Sequence, residues 1–130
     1  MKSFKNATLA VLSLTTLLSS AAPSMASNVV SNEPFVVSAT VKVKAGTEAA
    51  FKAAAEEFVL PSRKEMDNID YTFVQSPSDP TEFATIEHWK SQAGINAHMS
   101  SPHMQVFFGK VGPLFEQGYP QIRQYIELAK

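Results

Sequence analysis

The residues of this 130-residue chain that are best suited to chemistry near neutral pH are its three histidines. Imidazole titrates close to neutral pH, so a histidine can accept a proton from a weakly acidic hydroxyl group. His98 lies among apolar residues at helical spacing, where it is either such a general base or a core histidine with a satisfied hydrogen bond. His103 starts the next predicted helix, where a ring often faces solvent or caps the helix. His88 alternates to the opposite strand face from Trp89 and is the weakest candidate.

Four further side chains could surround such a base. Trp89 could line a pocket or donate its indole N–H, although a buried tryptophan is more often a packing residue. Glu87 lies on the same predicted strand face and could orient a polar network or form an ion pair. Tyr71 could donate a phenolic hydrogen bond or pack at the seam of a barrel, and Phe107 is a core residue that could also form a pocket wall. A base beside an aromatic wall could take a proton from a bound small molecule.

The spacing of these residues argues against a metal centre or a nucleotide cofactor. The chain has no cysteine, and His98 and His103 are five residues apart across a helix break. Two histidines four residues apart would share one helical face and could bind a metal ion together. The five glycines are scattered singly, so there is no phosphate-binding loop, and no Gly-x-Ser-x-Gly elbow marks a serine nucleophile. The sequence therefore predicts no metal and no cofactor.

The N-terminus has the pattern of a secretory signal peptide. Two lysines in the first five residues precede an apolar run over residues 7–18 and the small-x-small pattern Ser24-Met25-Ala26. The run is about ten residues long, whereas a membrane span needs about twenty. We expect residues 1–26 to be a cleaved signal peptide and the protein to be periplasmic or secreted.

Cleavage would leave 104 residues, enough for one modest domain at 34–130 preceded by a flexible segment at 27–33. Both removed charges are lysines, so the mature chain has 9 Lys and Arg against 12 Asp and Glu and a net charge of −3. Nucleic acids and anionic membranes bind patches rich in lysine and arginine, and the chain has no basic tract. The composition therefore argues against both as partners. Without cysteine the fold depends on its hydrophobic core.

Hydrophobic periodicity predicts an α+β chain in the order strand, helix, strand, strand, helix, strand. The predicted strands are 35–43, 69–75, 82–89 and 122–128. The first helix follows Thr47, and two shorter helical segments follow Ser91 and Ser101. Thr47 is expected to cap the first helix and Pro61 to end or kink it. This order is the ferredoxin-like βαββαβ arrangement.

The sheet face away from the helices is also predicted to carry apolar and aromatic side chains. A monomer would leave that face in water, and exposed apolar patches of this kind usually mark an interface. We therefore expect a homodimer in which two sheets pack face to face and close into an α+β barrel.

Four short motifs follow one another along the predicted domain. They are Asn68-Ile69-Asp70-Tyr71, Asp79-Pro80-Thr81, Glu87-x-Trp89-x-Ser91 and His98-x-x-Ser101-Pro102-His103. Together they resemble the antibiotic biosynthesis monooxygenase family, and the resemblance covers roughly residues 35–128. It implies a dimeric α+β barrel. Characterised members of the family include cofactor-independent monooxygenases of quinols, anthrones and related phenols, and others degrade haem or have non-oxygenase roles.

The resemblance implies that His98 is the general base, because it occupies the family's matching helical position. The substrates would then be dioxygen and a small aromatic compound in a pocket involving Trp89, Tyr71 and Phe107, with no cofactor. The tryptophan and the haem-ligating histidine of the haem-degrading branch align with His98 and with about Phe108, which argues against haem degradation. A non-catalytic small-molecule-binding protein and an isomerase or decarboxylating enzyme stay open as alternatives, because the fold alone does not decide between them.

Overall fold

The computed structural model describes residues 33–128, so the predicted signal peptide and all but the last residue of the 27–33 segment lie outside the described residues. The elements are β1 Phe35–Lys42, α1 Glu48–Arg63, β2 Asn68–Gln75, β3 Glu82–Trp89, α2 Gln92–Met99, α3 Pro102–Val111, a 3-10 helix at Gly112–Leu114 and β4 Gln121–Ile126. The strands form one antiparallel sheet in the order β2-β3-β1-β4. This is the ferredoxin-like α+β fold, which confirms the predicted class. Within residues 33–128, no helix is long and apolar enough to cross a membrane.

One face of the sheet packs against the helices because successive strand residues point in opposite directions. On β3 every second residue is buried: Phe83, Thr85, Glu87 and Trp89. From α1, Phe51 packs on Phe83 with ring centroids 4.6 Å apart, and Phe58 stacks on Phe107 of α3 at 4.3 Å. Aromatic rings therefore join α1 both to the sheet and to α3.

The first helix begins where the sequence predicts and continues slightly past Pro61. Thr47 is the N-cap residue, but its hydroxyl donates to the Lys44 carbonyl oxygen at 2.6 Å and closes the preceding turn. The prediction of Thr47 as the N-cap residue is confirmed, although its side chain makes no hydrogen bond to the helix backbone. The helix also continues two residues beyond Pro61, so the proline does not end it. Ser62 supports this last turn, because its hydroxyl donates to a carbonyl oxygen one turn earlier at 2.9 Å.

Serine caps fix the starts of the two short helices, as the sequence predicts. The hydroxyl oxygens of Ser91 and Ser101 each accept a hydrogen bond from the backbone N–H three residues later, at 3.0 and 3.2 Å. Pro102 begins α3, where its missing N–H removes no helical hydrogen bond. His98 and His103 lie on the two sides of this junction between α2 and α3.

Helix α2 lies very close to the loop that joins α1 to β2. A Cβ atom at Gly94 would come within 2.3 Å of Asp67 Cβ, so a larger residue cannot be placed there without movement. The hydroxyl of Ser91 also donates to the Asp67 carboxylate at 2.5 Å. One close contact and one hydrogen bond therefore hold the helix that carries His98 against this loop.

We expect Gly94→Ala to destabilise the fold by about 1–3 kcal/mol, because its added methyl group overlaps Asp67. Gly109→Ala is the matched control: it is an exposed glycine of α3, and within the described chain nothing lies within 4 Å of its added Cβ. The free energy of unfolding of the control should rise by up to about 1 kcal/mol, because alanine has a higher helix propensity than glycine. Urea denaturation measures both free energies of unfolding, and equal effects at the two positions would contradict the close contact.

Candidate active site

A cavity of about 170 Å³ lies between the helices and the core-facing side of the sheet. Its wall is mostly apolar, and four of the predicted site residues contribute to it: Tyr71, Glu87, His98 and Phe107. An apolar cavity of about 150 Å³ in another protein binds benzene. The space therefore suits one small aromatic ring.

His98 is almost fully buried, with 1% of its side chain exposed. Its Nδ1 lies 2.8 Å from Glu65 Oε1, whereas its Nε2 is the one buried side-chain nitrogen or oxygen among the described residues that has no hydrogen-bond partner. A carboxylate only accepts hydrogen bonds, so the proton of a neutral ring belongs on Nδ1. Nε2 is then an unprotonated nitrogen on a residue of the cavity wall, able to accept a proton from a ligand.

Glu65 is the site residue that the sequence did not reveal. It lies in the loop between α1 and β2, 33 residues from His98, and no motif marks it. Its Oε1 also lies 2.6 Å from His103 Nε2, which is itself 3.2 Å from Ser101 Oγ. Residue spacing along one helix did not indicate this arrangement. The junction between α2 and α3 brings both rings to one carboxylate oxygen.

A second polar group, Glu87, reaches the cavity from β3. Its carboxylate is buried and accepts hydrogen bonds from Thr85 Oγ1 at 2.7 Å and from Trp89 Nε1 at 2.9 Å. Tyr71 lies opposite Glu87 on the neighbouring strand β2. Burial, and then the negative charge of Glu87, raises the pKa of the Tyr71 phenol well above its usual range. Tyr71 is therefore a neutral hydrogen-bond donor in the cavity wall.

Two predicted site residues lie outside the set that lines the cavity in the described chain. Trp89 is fully buried and packs against His98 with ring centroids 4.8 Å apart. Its indole N–H donates a hydrogen bond to Glu87 and is not available to a ligand. His103 is a quarter exposed and contacts Glu65 on the side away from the cavity wall. The structure thus brings all six predicted residues into one region, with Trp89 and His103 in supporting positions around His98.

The family model for antibiotic biosynthesis monooxygenases matches residues 34–110. The chain belongs to this family. A curated relative, an uncharacterized protein of Synechocystis sp., is 30% identical over 103 residues, which cover 78% of this chain and 70% of the relative.

Solved structures of similar proteins have the same fold. A Nitrosomonas europaea protein assigned to the antibiotic biosynthesis monooxygenases superposes with a TM-score of 0.70 at 25% identity, over 74% of this chain and 91% of that one. A Pseudomonas aeruginosa protein gives a TM-score of 0.69 at 27% identity, over 75% and 96% of the two chains. The family assignment and the ferredoxin-like topology therefore agree, and the monooxygenase name holds at the level of the family.

Proposed function

We propose that this protein is a cofactor-independent monooxygenase that oxidises a small phenolic or quinol-type aromatic compound with dioxygen. The observation that carries the proposal is the unpartnered Nε2 of His98, a buried basic nitrogen in the wall of a mostly apolar cavity. Membership of the monooxygenase family supports the reaction class. The signal-peptide pattern of residues 1–26 supports a periplasmic or secreted location.

In this reaction His98 Nε2 takes the hydroxyl proton of the substrate, and Nδ1–H stays hydrogen-bonded to Glu65. The resulting oxyanion is electron-rich and gives one electron to dioxygen. The two radicals then combine, and a new carbon–oxygen bond forms a peroxide. His98 returns its proton to the outer peroxide oxygen, the O–O bond breaks, and the ring C–H proton leaves with that oxygen as water. A hydroquinone and dioxygen thus give a hydroxyquinone and water, with all electrons supplied by the substrate.

The other wall residues have roles that follow from their chemistry. The neutral Tyr71 phenol can donate a hydrogen bond to a substrate oxygen, and Phe107 offers an aromatic surface to the ring. Glu87 can accept a hydrogen bond from a second hydroxyl group, which favours a diol over a simple phenol. A mostly apolar wall also excludes water, which strengthens each of these polar contacts.

We expect dioxygen uptake by the purified protein with a hydroquinone, which is the single-ring member of a panel that also contains a naphthoquinol and an anthrone, because the cavity of about 170 Å³ suits one ring. The uptake should exceed the autoxidation blank without added metal or flavin. His98→Ala should lower the rate by about 10²–10⁴-fold, the usual contribution of a general base. His88→Ala is the matched control, because this half-buried imidazole lies on the opposite face of β3, and it should keep the full rate.

A full rate in His98→Ala would remove this residue as the base. No uptake with any substrate of the panel, from protein shown to be folded, would contradict the oxygenase proposal. The cavity would then be that of a small-molecule-binding protein or of an isomerase on the same fold, and ligand screening would follow.

We also propose that the protein is a homodimer built on the outer face of the sheet. Val74, Ile86 and Tyr125 lie on this face and are 44%, 37% and 48% exposed. Strand β4 is exposed at all six residues, although its Ile122 and Gln124 border the cavity. A second copy packed face to face would bury this apolar surface and cover the β4 side of the cavity.

Light scattering coupled to size exclusion should give twice the mass of the chain. Ile86→Glu places a charge at the centre of the outer face and should convert the dimer to monomers. Val106→Glu is the matched control, because Val106 is an exposed apolar residue of α3 on the helical side. A wild-type monomer, or dissociation by both variants alike, would contradict this interface.

A further inference from the structure

Glu65, His98 and His103 place three metal-binding side chains at one point. One ligand atom from each lies within 4.8 Å of the other two. We propose that these residues form a binding site for a divalent transition metal such as Zn²⁺, and that the bound metal switches off His98 as a base. The second part of the proposal rests on the proposed function, whereas the first part does not.

The donor set is chemically suited to such an ion. Two imidazole nitrogens and one carboxylate oxygen are ligands that zinc binds in many three-residue sites, with water in the fourth position. Each donor comes from a different part of the chain: Glu65 from the loop after α1, His98 from the end of α2 and His103 from the start of α3. The serine cap of α3 and the contact of α2 with the loop at Asp67 hold these parts in place.

The distances require only a small expansion. Glu65 Oε1 now lies 2.8 Å from His98 Nδ1 and 2.6 Å from His103 Nε2, as hydrogen bonds. A tetrahedral metal at about 2.0–2.1 Å from each donor places neighbouring donors about 3.4 Å apart. The two hydrogen bonds would therefore open by about 0.6 Å and about 0.8 Å to admit the ion, which takes the place of the two ring protons between the donors.

The site has its own path to solvent. A groove of about 390 Å³ reaches Glu65 and His103, and Asp67 and Ser101 also line it. His98 belongs to the wall of the other cavity, the one proposed to hold the substrate. The ring of His98 therefore separates the metal from the substrate, so the metal would not contact the reacting atoms.

Metal binding has a definite consequence for His98. When Nδ1 binds the metal, the single proton of the neutral ring must lie on Nε2. Nε2 then donates a hydrogen bond and cannot accept the hydroxyl proton of the substrate. Zinc at this site would inhibit the reaction from outside the substrate cavity.

The binding experiment uses the metal-free protein titrated with Zn²⁺ by calorimetry, and with Co²⁺ followed by its visible absorption. We expect one ion to bind per chain, and the Co²⁺ absorption spectrum should be typical of coordination by nitrogen and oxygen atoms. His103→Ala should weaken binding by more than about tenfold, and Glu65→Gln provides a second variant of nearly unchanged shape. His88→Ala is the control histidine and should bind like the unaltered protein. Equal affinity in His103→Ala and in the unaltered protein would overturn the site.

The inhibition experiment repeats the dioxygen-uptake assay at increasing Zn²⁺. The rate of dioxygen uptake should fall with the same midpoint Zn²⁺ concentration as binding. In His103→Ala, the same inhibition should need at least about ten times more Zn²⁺. Binding without loss of uptake would overturn the effect on His98. A protein without oxygenase activity would still bind Co²⁺ if the site is correct, so failure of the proposed function and failure of the site give different results.

Discussion

The hydrogen bond between Glu65 and His98 is the interaction on which the proposed chemistry of this fold depends. It joins the loop after α1 to the end of α2 at 2.8 Å, inside a mostly apolar region. An imidazole has two nitrogens and one exchangeable proton when neutral, so the partner of one nitrogen decides what the other can do. By accepting from Nδ1, the Glu65 carboxylate leaves Nε2 as the basic atom.

Several contacts fix the position of Glu65 relative to His98. Arg63 at the end of α1 donates through Nε to the Tyr71 carbonyl oxygen at 2.8 Å, which fixes the start of the loop against β2. The contact between Gly94 and Asp67 fixes the same loop against α2. His103 shares the carboxylate oxygen and so opposes its rotation. One strand, three helices and a loop therefore position a single imidazole ring.

The energetic cost of this arrangement is itself informative. An unpaired polar atom in a buried site costs about 1–3 kcal/mol, and most native proteins avoid it. Among the described residues, His98 Nε2 is the one buried side-chain nitrogen or oxygen that has no hydrogen-bond partner. The nearby Glu87 carboxylate, in contrast, accepts two hydrogen bonds. A ligand hydroxyl group that reaches Nε2 would remove the penalty, which is a physical reason for a ligand to bind there.

Local patterns in the sequence were sufficient for much of the fold and for half of this site. The alternation on β3 and the Ser91 and Ser101 caps depend on neighbouring residues only, so they could be predicted, as could the position of His98 beside aromatic residues. Glu65 could not be, because its role depends on a contact across 33 residues. The same limit applies to the meeting of His98 and His103 at Glu65. Residue spacing describes positions along one helix, whereas these two rings come from two helices.

The measurement that tests the central claim most directly is the tautomeric state of His98 in the metal-free protein. Long-range ¹H–¹⁵N correlation spectra of labelled protein distinguish a protonated ring nitrogen from an unprotonated one, and His98→Ala assigns the signals. The hydrogen bond to Glu65 predicts a protonated Nδ1 and an unprotonated Nε2, with a mixture of tautomers appearing in Glu65→Ala. A proton found on Nε2 in the unaltered protein, with Nδ1 unprotonated, would contradict the account.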